Sequence, residues 1–461
     1  MYHGHRAKAR HRHEIAVAVQ SLAMSLSPAA RPTRARFVVV AWLCGLAGVL
    51  YLDRICMSQA LKPIRDEIGL SNTQMSYVAM AFTLAYGIFE IPTGRLGDRI
   101  GARAVLTRII LWWSAFTMLT GVAFGFISLL VVRFLFGAGE AGAYPNAARV
   151  ISRWFPTGER GRVQGAMLTA AQLGAVSAPY LAAILIDRAG WRWAFIVFGL
   201  VGVLWAAGFW LWFRDEPAQH ARVNAAELNV IRAGTEAQAL HVEPIPWQAV
   251  FRTTGIWLLG LAMISSAFNS YFYYTWFPTY LQDARGMPNL EAGELSSLVL
   301  AGGGAGVLLG GLVADRIQRS QLPVVRVRRV FGGAAYLVAA GCLTIAIASD
   351  HPTTLAIFAA LSCFVVHLTL PNWWSAAIEQ SGRHVGALFG LMNMMGVVGA
   401  LASQWFVGAF ADWQSHRGLS GREQWDPVFP VYVGVLLIGA LAWALYRFRP
   451  LEGRGPGHTT L

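Results

Sequence analysis

Arg133 and Glu140 lie seven residues apart inside an apolar stretch, 128–150. At 100° per residue a helix returns them to within about 20° of one direction. Asp53 and Arg54 interrupt the first apolar stretch, 37–60, in the same manner. An ionised side chain at bilayer depth costs about 2.5–3.5 kcal/mol even on lenient scales, so it turns to a cavity or a partner. Two acids and two guanidiniums at similar depths therefore predict a polar chamber within a helical bundle. Low dielectric favours the protonated form of an acid, and a nearby arginine opposes it. Proton occupancy then depends on whether the arginine is free or held by an anion, which is thermodynamic coupling. The competing reading is a fixed Arg133–Glu140 ion pair. Two helical turns separate their backbones by about 10 Å, so that pair needs both chains extended.

Arg54 is the expected contact for a substrate carboxylate, because a guanidinium presents a planar fork that matches two carboxylate oxygens. Tyr51, three residues earlier, shares nearly the same face and suits a substrate hydroxyl. In 128–150, Arg133, Gly137, Glu140 and Tyr144 predict one continuous stripe, with a kink at Pro145. Further along, Asn269, Tyr271, Tyr273, Tyr274 and Trp276 fall in one span, and His367, Asn372, Trp373, Trp374 and Ser375 in another. Such neutral groups suit a polyhydroxylated ligand. The tryptophans are equally compatible with interfacial belts, and His367 with a packed neutral side chain.

The elements that must carry these groups are membrane helices. Of 461 residues, 56% are hydrophobic and 13% charged, about half the charge of a soluble domain. The apolar runs last about 20 residues, enough to cross a ~30 Å hydrocarbon layer. A β-barrel would alternate instead. Twelve spans are expected, with a polar linker at 214–252 dividing them six and six. The predicted organisation is a disordered basic cytoplasmic tail (1–36), a first bundle (37–213), the linker (214–252), a second bundle (253–447) and a short cytoplasmic tail (448–461). The net charge of +13 is no nucleic-acid signal. The arginines cluster in the tails and alternate loops, which places both ends in the cytoplasm. Cys44, Cys56, Cys342 and Cys363 lie in apolar spans without metal-ligand spacing, so no metal is expected. The apolar patch at 16–24 has no convincing cleavage site after it.

A duplication crosses the linker. Gly94-Arg-Leu-Gly-Asp-Arg-Ile-Gly101 follows the second span, and Gly311-Leu-Val-Ala-Asp-Arg-Ile317 follows the eighth. Matched motifs in matched positions predict two halves related by internal repetition.

With Tyr51-Leu-Asp-Arg54, Phe89-Glu-Ile-Pro-Thr-Gly-Arg-Leu-Gly-Asp-Arg99 and Arg133-Phe-Leu-Phe-Gly-Ala-Gly-Glu-Ala-Gly-Ala-Tyr-Pro145, the chain resembles the major facilitator superfamily. More narrowly, it is similar to the anion:cation symporter branch, which includes bacterial sugar-acid transporters and sialic-acid carriers. Arg214-Asp-Glu-Pro-Ala-Gln-His220 and Gly390-Leu-Met-Asn-Met-Met-Gly396 also fit. The resemblance implies an all-α membrane protein of twelve transmembrane helices in two pseudo-twofold-related bundles. It implies Glu140 as the proton-coupling acid, with Asp53 as a second. It adds Tyr86, Gln172, Ser375 and Asn393 to Arg54, Tyr51, Arg133, Tyr274 and Trp373 as substrate-binding candidates. It implies that Gly94, Asp98 and Arg99, with Asp315 and Arg316 in the repeat, form a conformational latch. Arg103, Arg160 and Arg162 are candidate partners for Asp98, and Glu90 joins that network rather than the chamber.

The expected function is proton-driven uptake of an organic anion, a sugar acid, by rocking of the halves around a central site. The expected partners are a small anionic substrate and membrane lipid, with no nucleic acid, a monomeric functional unit, and no cofactor besides the coupling proton. Another carboxylate, such as an aromatic acid or tartrate, is the alternative, and drug:proton antiport a third reading disfavoured by the two arginines. No nucleophile motif, metal cluster or nucleotide loop argues for an enzyme.

Overall fold

The computed structural model describes residues 31–233 and 247–448, leaving aside the side chains at Ile91, 94–98, Arg383 and Gly386. Among the described residues every regular element is helical. The first half comprises α1 (Ala35–Ile68), α2 (Asn72–Ile100), α3 (Ala102–Thr120), α4 (Phe126–Glu140) with α5 (Ala143–Trp154), α6 (Thr157–Ala189) and α7 (Trp191–Trp212). The linker holds α8 (Ala225–Arg232) and α9 (Trp247–Arg252). The second half comprises α10 (Thr254–Tyr271) with α11 (Phe277–Ala284), α12 (Asn289–Gln318), α13 (Val324–Ala348), α14 (Pro352–Leu368) with α15 (Leu370–Ser381), α16 (Val385–His416), and α17 (Gly421–Trp425) with α18 (Phe429–Leu445). Counting broken helices whole, 11 are long and apolar enough to cross a membrane among the described residues. The 29-residue α2 packs among them as the twelfth.

The packing repeats from half to half. In the first half α1 lies on α6, α2 on α4 and α3 on α7; in the second, α10 lies on α16, α12 on α14 and α13 on α18. The halves meet where α2 crosses α16 and α6 crosses α12. Each crossing sets the second span of one half against the fifth of the other, as a pseudo-twofold axis requires. Small residues permit the closest contacts: a Cβ on Gly174 of α6 would lie 2.4 Å from the Gly48 carbonyl oxygen of α1.

Among the described residues four spans are interrupted, the twelfth by a 3-10 turn at Asp426–Val428. The fourth breaks after Glu140, where Gly142 takes φ +87°, a left-handed conformation that suits glycine. The expected single stripe with a kink at Pro145 is therefore corrected: the break comes three residues earlier, and Pro145 sits in the first turns of α5, where an N–H is not needed. The tenth span breaks at Thr369, ahead of Pro371, the matched span of the second half. The seventh widens into a π turn, Phe272–Trp276, just before Pro278. Proline there cannot donate and crowds the preceding turn, and such bulges re-aim side chains.

On the side away from the linker the halves are tied together. Asp283 of α11 receives Arg65 Nη1 at 2.6 Å and Nη2 at 3.2 Å, and Lys62 Nζ at 2.7 Å. Asp412 of α16 accepts the backbone N–H groups of Asn72 (3.0 Å) and Thr73 (2.7 Å) at the start of α2. Gln59 donates to Asn289, which donates to Asp187 across α6 and α12. On the linker side, α8 docks against α1: buried Glu227 accepts the N–H groups of Ala35 (3.3 Å) and Arg36 (3.2 Å), where the helix dipole favours a carboxylate.

Candidate functional site

Arg54 and Glu140 meet at the centre of the first half. Arg54 Nε donates to Glu140 Oε1 at 3.1 Å, and Nη2 donates to the same oxygen. Glu140 Oε2 is buried and has no partner. The glutamate ends α4 at the helix break and is wholly buried, whereas the Arg54 side chain keeps 18% exposure. The pairing partner thus differs from the sequence-based alternative: Glu140 binds Arg54 across helices, not Arg133 along its own.

Aromatic rings hold both guanidiniums. Arg54 Cζ lies 4.7 Å from the Tyr86 ring centroid, 5.0 Å from Phe82 and 5.3 Å from Tyr51. Arg133 Cζ lies 4.5 Å from Phe136 and 5.1 Å from Phe82. Phe82 therefore touches both cations. A ring face attracts a cation by about 0.5–2 kcal/mol, more when water is excluded, and it leaves the N–H groups unspent. Arg133 has no carboxylate within ion-pair distance among the described residues, and its buried Nε is unpartnered.

Beside this cluster lies a cavity of about 180 Å³, lined by Tyr51, Arg54, Phe82, Arg133, Tyr271 and Tyr274 among others. Two more cavities open toward the linker side. One, of about 420 Å³, is bounded by Tyr51, Gln172, Ser270, Tyr271, Tyr274 and Trp374. The other, of about 210 Å³, is bounded by Arg54, Tyr86, Glu90, Tyr271 and Asn393. Tyr271 borders all three, at the entrance to the π turn, so this turn forms the wall between the chamber and its approaches.

The fold brings together Tyr51, Arg54, Tyr86, Arg133, Glu140 and Tyr274, and sets Gln172 and Asn393 on the flanking cavities. Asp53 departs from expectation. Adjacent helical residues diverge by 100°, so while Arg54 enters the chamber, Asp53 turns into the first bundle, 1% exposed, with neither oxygen hydrogen-bonded. Glu140, Trp113 and Arg133 are among the groups that interact with it there. It lines none of the three cavities.

Two substrate candidates are corrected. Trp373 is 2% exposed and donates its indole N–H to the Leu259 carbonyl at 2.8 Å, a strut between α15 and α10; Trp374 lines the cavity instead. Ser375 accepts from Gln318 at 3.3 Å, outside the cavities. The belt alternative fails for Trp276 as well, which is buried and donates to the Gln404 carbonyl. Asn269 and Asn372 are buried with unpartnered amides and face no described cavity. Glu90 borders one of the cavities flanking the chamber. Arg103 donates to the Trp210 carbonyl and Arg160 to those of Phe155 and Ser152. Arg99, Asp315 and Arg316 are exposed on the linker side; Gly94 and Asp98 fall outside the described side chains. Sequence reasoning missed Phe82 and did not place Tyr271 at the wall. The four-residue spacing of Phe82 and Tyr86 on α2 is the signal that pairs them.

With the fold and chamber in place, the chain matches the Major Facilitator Superfamily over residues 43–403. It belongs to that superfamily and is a multi-pass membrane transporter, not an enzyme. It is 33% identical to a probable sulfoacetate transporter of Cupriavidus necator, over 80% of this chain and 86% of that one. It is 30% identical to a probable galactarate/D-glucarate transporter of Bacillus subtilis (83% and 87%) and 29% identical to a D-galactonate transporter of Escherichia coli (90% and 96%). A bacterial homologue of the human lysosomal transporter Spinster, in an inward-facing and unoccupied conformation, superposes with a TM-score of 0.75 at 18% identity, covering 90% of this chain and 97% of that one. That likeness concerns the fold.

Proposed function

We propose that this protein carries a sugar acid (a hexonate, hexuronate or aldarate) together with protons into a bacterial cell across its inner membrane. The observation that carries the reading is the Arg54–Glu140 contact beside the chamber. Arg54 spends two donors on one oxygen of Glu140, and a substrate carboxylate is the better match for that fork. When the anion takes Arg54, Glu140 is left buried without its counter-charge, and proton uptake relieves it. Substrate and proton thereby favour one another. Asp53, sealed beside Arg133, would serve as a second proton site once the bundle moves.

The arginine-rich tails and alternate loops support a cytoplasmic location for both ends, so the tied far side is the outer gate and the cavities toward the linker open inward. The duplicated motifs around Gly94, Asp98, Arg99, Asp315 and Arg316 would latch the inner side in the opposite state. Inward movement of net positive charge would gain about 2.3 kcal/mol per charge per 100 mV. A monomer contains the whole pathway. A second reading, a small carboxylate without hydroxyls, has the sulfoacetate relative in its favour.

A thermal-shift screen of purified protein against sugar acids, aromatic acids, tartrate and sulfoacetate separates the two. Stabilisation by hexonates or aldarates alone supports the proposal; stabilisation by sulfoacetate alone overturns it.

A further inference from the structure

His367 stands near the end of α14, just before the break at Thr369, and is 6% exposed. It borders the 420 Å³ cavity with Ser266, Ser270 and Gln172. Its Nδ1 lies 2.8 Å from the Cys363 carbonyl oxygen. A carbonyl only accepts, so Nδ1 carries the hydrogen, and in the neutral ring Nε2 is left with a lone pair. Nε2 faces Ser270 Oγ at 3.5 Å. That hydroxyl has a single hydrogen, and the Ser266 carbonyl at 2.8 Å lies nearer to it than Nε2 does. With its hydrogen on that carbonyl, Oγ and Nε2 stand side by side at the cavity wall as acceptors.

A ligand hydroxyl would supply the missing hydrogen. A carboxylate or sulfonate oxygen would meet lone pairs on both sides, which costs rather than gains. An ammonium would enter a cavity whose lining holds no carboxylate. The chamber therefore presents guanidiniums on the first half and, on the second, the His367–Ser270 acceptor pair beside the hydroxyls of Ser266, Tyr271 and Tyr274.

We propose that His367 and Ser270 form a hydroxyl-recognising subsite, selecting an acid whose end remote from the carboxylate is an alcohol rather than a second acid. This rests on the sugar-acid reading above and narrows it to monoacids of the hexonate kind.

The test compares binding of D-galactonate with galactarate, the same skeleton with its terminal alcohol oxidised to a carboxylate. It uses the full chain in nanodiscs, as wild type, His367→Leu and His367→Gln. Wild type is expected to prefer the hexonate by about tenfold or more, the factor carried by one buried hydrogen bond. His367→Leu should lose that preference while keeping its affinity for galactarate and its unliganded melting temperature. His367→Gln, whose amide oxygen still accepts, should recover part of it. Equal or tighter binding of galactarate by wild type, or a preference that survives in His367→Leu, overturns the subsite. Binding of neither acid by wild type overturns the sugar-acid reading as well, which the first two results leave standing.

Discussion

Arg54 and Glu140 share one oxygen: Nε and Nη2 of the arginine converge on Oε1, while Oε2 has no partner. The contact is thus a fork closed on a single prong, and a free carboxylate can offer two. Arg54→Lys retains the charge and loses the fork. Anion affinity should fall about tenfold or more, as expected for losing one charge-assisted hydrogen bond of about 1.5–3 kcal/mol. Isothermal titration with a hexonate checks this, and unchanged affinity removes Arg54 from the binding site.

Phe82 touches both guanidiniums. Phe82→Leu keeps most of the volume and loses the ring face. We expect a melting temperature within a few degrees of wild type and a several-fold weaker hexonate affinity, matching about 0.5–2 kcal/mol of lost cation–π attraction. A large loss of stability with unchanged affinity would make Phe82 a packing residue only.

The far-side closure converges on Asp283, which binds Arg65 and Lys62 of the other half. Asp283→Asn removes the charge that both cations of α1 bind across the halves and leaves them to Asp66 of their own helix, so the far side should open more often. Spin labels at exposed Ser71 and Glu291, one on each half, report it. A longer distance population should grow in the variant, and an unaltered distribution would show that the gate is held elsewhere.

The linker carries a pH-sensitive contact. His220 packs 4.5 Å from the Trp212 ring, and its Nδ1 accepts the Arg222 N–H at 3.2 Å. Burial holds its pKa below the usual histidine value, with Arg214 and Arg222 adding to the effect against a hydrogen bond to the Trp212 backbone. The folded state binds the proton less well than the unfolded one. Its contribution to docking is full above the unfolded pKa of about 6.5 and declines as pH falls below it. Hydrogen exchange across 214–232, corrected for intrinsic rate, should rise between about pH 7 and pH 5, the range that brackets that value, and His220→Phe should flatten the rise.

Much of this architecture is legible from residue order. Apolar run length predicts the spans, the repeated glycine–aspartate–arginine motif predicts two related halves, and a charge at bilayer depth marks the chamber, because each rests on a local cost that lipid imposes. What escaped depends on relations between distant segments or on a single backbone angle. The break at Gly142 comes from a left-handed backbone that the nearby Pro145 made easy to misplace. Trp373 and Trp374 are neighbours of identical type, and only the turn after Thr369 decides which one enters the cavity. Asp53 and Arg54 are adjacent, yet the 100° between them sends one behind the bundle wall. The ties from Asp283 to Arg65 and Lys62 join residues more than two hundred positions apart.

The central claim is that a substrate anion and Glu140 compete for Arg54, so that the anion's arrival loads the proton. Proteoliposomes with an external pH electrode and labelled hexonate measure both fluxes at once. Wild type should alkalinise the outside in step with hexonate entry. Glu140→Gln should abolish that alkalinisation while hexonate still exchanges across the membrane. Proton movement that persists with hexonate in Glu140→Gln would contradict the account.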